Sequence, residues 1–223
     1  PPYRGLKAYD NEDAAIFFGR EAAIIGSLDT LRDMRRQFNK RMLVIQGASG
    51  AGKSSFMRAG LWPRLKRDDE NYYPLPVIRP GRDAITNPDS GLANSIYNAM
   101  YELGITNVSR AEIVGRLKER TNEAALLKLL HDIHNALLAR EVNDRTPPIL
   151  ILAIDQGEEL YASDGGQEAL RLRELLAQLK PSRGELDRPG DDLQELVMRT
   201  LRTYQFEKLT TERMFGEAGN EPN

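Results

Sequence analysis

Apolar side chains recur along this chain at two periods, and their alternation predicts the fold class. In "FFGREAAIIGSLDTLRDMRRQF" (17–38), Ile24, Leu28 and Leu31 fall at i, i+4 and i+7 with charges between them, which is one face of an amphipathic helix. "RMLVIQG" (41–47) then carries a continuous apolar run, Met42 to Ile45, that ends at glycine, as expected of a strand buried on both faces of a parallel sheet. After the glycines the chain should enter a helix running through Gly60, with the proline of "LWPRL" ending it. In "YYPLPVIRPG" (72–81), Val77 and Ile78 stand between prolines and predict a short second strand.

Further on, Ser109 and Glu112 are spaced as a capping box before "AEIVGRLKER", and Leu126, Leu130, Ile133 and Leu137 stripe the next helix. "PPILILAIDQGEEL" (147–160) starts after two prolines and runs six apolar residues into Asp155, which should emerge at the carboxyl end of a strand. "EALRLRELLAQL" is helical in pattern, "KPSRGELDRPGDD" (180–192) is a polar loop, and "ELVMRTLRTYQF" suits either a strand or a helix. "GEAGNEPN" should fray. Strands alternating with helices predict one α/β domain over 1–223, with an open, mostly parallel sheet and its ligand at the carboxyl ends of the strands.

The first candidate chemistry is "GASGAGKS", Gly47, Ala48, Ser49, Gly50, Ala51, Gly52, Lys53 and Ser54, which matches G-x-x-x-x-G-K-[ST] between a predicted strand and a predicted helix. The glycines permit backbone angles that let successive N–H groups point inward and form an anion nest at a positive helix end. Lys53 would reach the β- and γ-phosphates and Ser54 would ligate Mg²⁺, with Ser55 as the spare hydroxyl. Magnesium at such a site also needs an acid from a neighbouring strand tip, and Asp155 is placed for it, although an aspartate there could equally cap the next helix. Hydrolysis further requires a group that orients and deprotonates water. Gln156, Glu158 and Glu159 follow Asp155; glutamine can align water, a shielded glutamate could act as base, and the two glutamates also suit a solvated first helical turn.

Composition narrows the partners. The 31 basic and 33 acidic side chains leave a formal charge of −2, so nothing global attracts nucleic acid or an anionic membrane, and nucleic acid is not expected as a partner. The basic run "RDMRRQFNKR" (32–41) falls at a helix end, where cations complement the dipole. Absence of cysteine removes disulfides and thiolate chemistry, and no run approaches the roughly 18 apolar residues of a membrane span. With no basic-then-apolar leader at the N-terminus, the expected location is cytoplasmic. His131 and His134 lie three apart on a helix with no nearby ligand set, which reads as surface rather than metal.

Taken in order, "PYRGLKAYDNEDAAIFFGRE", "GASGAGKSSFMRAGLWPRL", "VIRPG" and "LAIDQGEEL" resemble the NTPase domain of the novel STAND class, signal-transduction ATPases with numerous domains. The resemblance covers residues 2 to about 160. It implies a three-layer P-loop fold of the additional-strand type, with ATP, Mg²⁺ and slow, switch-like hydrolysis that drives signalling or defence assemblies. On the same basis Phe18, Gly19 and Arg20 become nucleotide contacts within an N-terminal base-contacting segment (1–40), followed by a nucleotide-binding core (41–205) and a tail (206–223). From the residues alone, Phe17 and Phe18 read as core and Arg20 as a helix-start charge. The resemblance also implies a sensing arginine, Arg202 with Arg199 as competitor, and sensor or effector domains or other chains as partners, with a nucleotide-dependent oligomer among the outcomes. Against its pattern the chain looks incomplete at the C-terminus. Two alternatives stand beside the ATPase switch: a nucleotide-independent interaction module and a small-molecule kinase. No N-K-x-D tetrapeptide follows the loop to read guanine.

Overall fold

The computed structural model describes residues 8–37, 42–122, 124–140, 147–161 and 166–179. A 3₁₀ helix, Asn11–Ile16, leads into α1 (Glu21–Gln37). The glycine loop opens α2 (Lys53–Ser55), which continues through a π-helical turn, Phe56–Leu61, into α3 (Trp62–Arg67). Strand β1 (Tyr72–Pro74) is followed by α4 (Leu92–Glu102), α5 (Arg110–Lys118) and α6 (Ala125–Arg140). Strand β2 (Ile149–Ile151), a 3₁₀ helix at Gly157–Tyr161 and α7 (Gly166–Ala177) complete the described order.

β1 and β2 pair in parallel, with Tyr72 opposite Ile149 and Pro74 opposite Ile151. Pairing persists beyond the named strands. Leu75 N–H donates to Ile151 O and Ile78 N–H to Ala153 O, each at 2.9 Å, and Asp155 N–H donates to Ile78 O at 2.8 Å. Along 149–154 the ribbon separates two cores by alternation, because successive strand side chains point to opposite faces, while on its partner the alternation slips by one place between Leu75 and Ile78. Leu150, Leu152 and Ile154 join Leu75 and Ile78 against a cluster built from α4, α5, α6 and α7. Ile149, Ile151 and Ala153 face the other way, onto Ile24, Phe56, Met57, Leu61, Trp62 and Leu65. Helices therefore cover both faces.

Three expectations are corrected. Met42–Ile45, expected as a strand buried on both faces, is not a strand; the described sheet is the parallel pair β1 and β2. No described residue bonds to the backbone of 42–46, and Val44 is 43% exposed; without a ladder the run stays irregular, and Ile45 alone packs into the second core. The second strand lies at Tyr72–Pro74, with Ile78 making only an isolated bridge to Ile154. Pro76 between them has no N–H to give the ladder. Pro63 does not end the loop helix, which continues to Arg67. The π turn immediately before it, where Trp62 N–H reaches back to Met57 O, widens the helix where a proline ring would otherwise meet the preceding turn. The segments 180–192, 195–206 and 216–223 lie outside the described residues.

The helical readings hold. Ser109 Oγ accepts from Glu112 N–H in a complete capping box, and Leu126, Ile133 and Leu137 are buried on α6 with Leu130 packed beside them. Part of the basic run is spent on structure: Arg35 donates to Asn71 O and Oδ1 at 2.7 Å, anchoring α1 to the start of β1. Gly91 opens α4 where backbone crowds it. A Cβ there would lie 2.7 Å from Asn87 N and O and 2.8 Å from Ile85 O, atoms that cannot yield as a side chain does. Gly91→Ala should therefore cost about 1–3 kcal/mol in denaturant unfolding, as overpacking does.

α7 is docked by an acid rather than by apolar contact alone. Glu168 accepts from the Ile85 and Thr86 amides at 3.0 Å and from Thr86 Oγ1 at 2.9 Å, and its Oε1 pairs with Lys118 at 2.6 Å. Burial pushes its pKa up, but the Lys118 ammonium and the Thr86 and Ile85 donors outweigh that, leaving it below the ordinary 4.5. A depressed folded pKa means that Glu168 stabilises above the unfolded value and loses that contribution as pH falls through the folded one. Acid titration of thermal stability should accordingly show a smaller loss below pH 4.5 in Glu168→Gln than in the parent chain.

Candidate functional site

The site is assembled where the glycine loop meets Asp155, 101 positions beyond Ser54. Gly50 and Gly52 hold φ of +77° and +78°, the left-handed region, so the loop turns sharply before Lys53 begins the helix. Ala51 N–H closes on Ala48 O at 3.1 Å. Lys53 Nζ lies back across the loop and donates to Gly47 O at 2.8 Å and Ala48 O at 3.1 Å, while Ala48, Ser49 and Gly50 stay exposed. One residue on, Ser54 Oγ donates to Asp155 Oδ1 at 2.8 Å across 101 positions of sequence. Asp155 is 7% exposed and lies just past the isolated Ile78–Ile154 bridge, where its N–H donates to Ile78 O, the last bond of the pairing that extends beyond β2. Ser55 is buried and accepts the Tyr9 N–H at 2.9 Å, so the spare hydroxyl ties the N-terminal segment to the helix.

The N-terminal candidates divide. Arg20 Nη2 donates to Ala51 O at 3.1 Å and so reaches the glycine loop directly. Gly19 takes φ +82°, and its N–H is held by Glu21, whose carboxyl is kept below its usual pKa by its own amide and that of Gly19. Phe17 packs into the second core, as the residues alone suggest. Phe18 does not: it is 75% exposed beside the loop-contacting arginine.

Beyond Asp155 the chain makes an unusual turn. Gln156 has φ +57°, rare for a residue with a side chain, and its Oε1 is buried with no hydrogen-bond partner among the described residues. Glu159 N–H returns to Gln156 O at 2.9 Å within the 3₁₀ helix, with Glu159 partly shielded and Glu158 exposed. Arg199 and Arg202 lie outside the described residues. Two residues escape sequence reasoning: Arg58, paired with Asp155 at 3.1 Å, and Asp10, 3.5 Å from the same guanidinium. Arg58 stands four positions after Ser54 and hence on the same helix face, a signal that was available; Asp10 gives none beyond its role as a cap.

This donor set suits a phosphate chain with a hard divalent cation. Ser54 Oγ and Asp155 Oδ1 are both hard oxygen donors of the kind such a cation takes, and they stand 2.8 Å apart in a direct hydrogen bond. His131 and His134 stack at 6.5 Å, and no group of three or more His, Cys, Asp or Glu side chains that could hold a metal ion exists among the described residues. No helix among the described residues is long and apolar enough to cross a membrane.

A glycine turn leading a helix, with Ser54 bonded to the carboxylate of Asp155, is an arrangement able to take a nucleotide's phosphates. A family model described as Novel STAND NTPase 1 matches residues 2–221, and the chain belongs to that family. Comparison with curated proteins and with solved structures gave no match. Membership makes this a STAND NTPase-type module and implies nucleotide binding.

Proposed function

We propose that the chain is an ATP-binding and ATP-hydrolysing switch module that works with Mg²⁺, built on a three-layer P-loop fold of the additional-strand type. The observation that carries this reading is the Ser54–Asp155 contact at 2.8 Å beneath the turn made by Gly50 and Gly52. In this reading Lys53 leaves its own loop carbonyls for the β- and γ-phosphates, and the amides from Gly47 to Ser54 hold the phosphate chain. Ser54 and Asp155 hold the cation, which when bound neutralises charge developing on the transferred phosphoryl group. Arg20 positions the loop through Ala51 O, and exposed Phe18 is the surface for the base. Glu158 or Glu159 deprotonates water, with Gln156 aligning it. Contacts to the γ-phosphate hold one conformation and their loss releases it to partner domains or chains, which is the switch.

Titrating the purified chain with ATP and Mg²⁺ while following the thermal midpoint tests this, since a ligand of the folded state must raise it. A midpoint unmoved at millimolar nucleotide would reject the reading in favour of a nucleotide-independent interaction module. One observation favours that second reading: Lys53 Nζ is already engaged by two carbonyls of its own loop.

A further inference from the structure

Asp155 divides its two oxygens between different partners. Oδ1 receives the Ser54 hydroxyl, whereas Oδ2 lies 3.1 Å from Arg58 Nη2. The Arg58 side chain is 23% exposed and its other terminal nitrogen is 3.5 Å from Asp10 Oδ2, an acid 61% exposed at the water boundary. Its Nε is buried with no hydrogen-bond partner among the described residues, so the guanidinium is held by charge without every donor being satisfied. Asp10 caps the 3₁₀ helix Asn11–Ile16, accepting the Asn11 N–H and donating its own N–H to Asp13. The preceding residue, Tyr9, donates to Ser55, one turn before Arg58 on the same helix. A continuous path therefore runs from the strand tip through Arg58 to the N-terminal helix.

We propose that Arg58 is the internal counter-cation of Asp155 and must give way when a divalent cation binds there, so that cation occupancy loosens the docking of residues 9–16. A guanidinium cannot shed its charge, and a doubly charged ion beside Oδ1 would face it across a single carboxylate in a poorly solvated site. Because Asp10 is paired with the same guanidinium, displacing Arg58 toward water draws the cap of Asn11–Ile16 outward with it. The linkage must act in both directions: whatever loosens Arg58 favours the ion, and whatever holds it opposes the ion. The inference rests on the reading of Asp155 as a metal-side ligand.

Manganese(II) binding in the presence of ATP, followed by electron paramagnetic resonance, and amide hydrogen exchange at residues 8–16 test it on the full chain. In the parent chain, exchange at 8–16 should rise when manganese and ATP are added. Arg58→Gln should bind manganese at least about fivefold more tightly, with exchange at 8–16 already raised and unresponsive. Arg58→Lys should restore the competition. Asp10→Asn, which keeps a competent cap, should leave Arg58 on Asp155 and abolish only the exchange response. Manganese affinity unchanged or weakened in Arg58→Gln overturns the inference alone. Should that variant fail to fold, a manganese-dependent exchange response retained in Asp10→Asn overturns it. A parent chain that binds no manganese with ATP overturns both this inference and the metal-site reading on which it rests.

Discussion

Lys53→Ala is expected to erase the rise in thermal midpoint that ATP and Mg²⁺ produce in the parent chain. At 100 times the dissociation constant a ligand adds about 2.7 kcal/mol to stability, which for a chain of this size is roughly 5–10 °C. The variant should move by less than about 1 °C at the same nucleotide concentration. The physical ground is the lysine's position at the head of the helix, where its only described bonds are to Gly47 O and Ala48 O and its reach covers the loop mouth. Substitution removes those two bonds and part of a half-buried aliphatic stem but nothing from either core, so the unliganded midpoint should change little. A variant that keeps the full nucleotide-induced shift would show that the loop amides alone hold the phosphates, or that the site lies elsewhere.

The second large effect is expected on turnover. Glu158→Gln combined with Glu159→Gln should preserve ATP binding and slow hydrolysis by about 10²-fold or more, the usual contribution of a positioned base. The glutamates follow Asp155 in a 3₁₀ helix, with Glu159 partly shielded and Glu158 open to solvent. Single variants separate the two, and the shielding favours Glu159. Undiminished turnover in the double variant would retire both and leave Gln156, the residue after Asp155, whose backbone is left-handed and whose buried Oε1 has no hydrogen-bond partner among the described residues.

The helices were legible in the sequence because their signals are local. Ser109 and Glu112 form their box within four residues, and the α6 stripe needs only a period of 3.6 to declare its buried face. The meeting of Ser54 with Asp155 was legible for a different reason: a phosphate loop needs a carboxylate at a neighbouring strand tip, and the apolar run 149–154 ends on one. What escaped depends on partners remote in sequence. Met42–Ile45 has the composition of a strand, yet no described residue completes its ladder. Pro63 reads as a terminator because nothing local announces the π turn that relieves the clash the residue would cause in an α-helix. Arg58 stands out only in the fold, which places acids from two distant segments on either side of it. Gln156 has a left-handed backbone that its residue type disfavours, so no propensity could announce it.

The ATP affinity of the parent chain, Ser54→Ala, Asp155→Asn and the double variant, each measured with magnesium and with chelator, tests the site most directly. Joint coordination predicts that magnesium tightens ATP binding in the parent alone, with the double variant no worse than either single one because the two side chains serve one ion. Equal affinity with and without the metal in the parent chain, or an Asp155→Asn variant that responds to magnesium as the parent does, would contradict it.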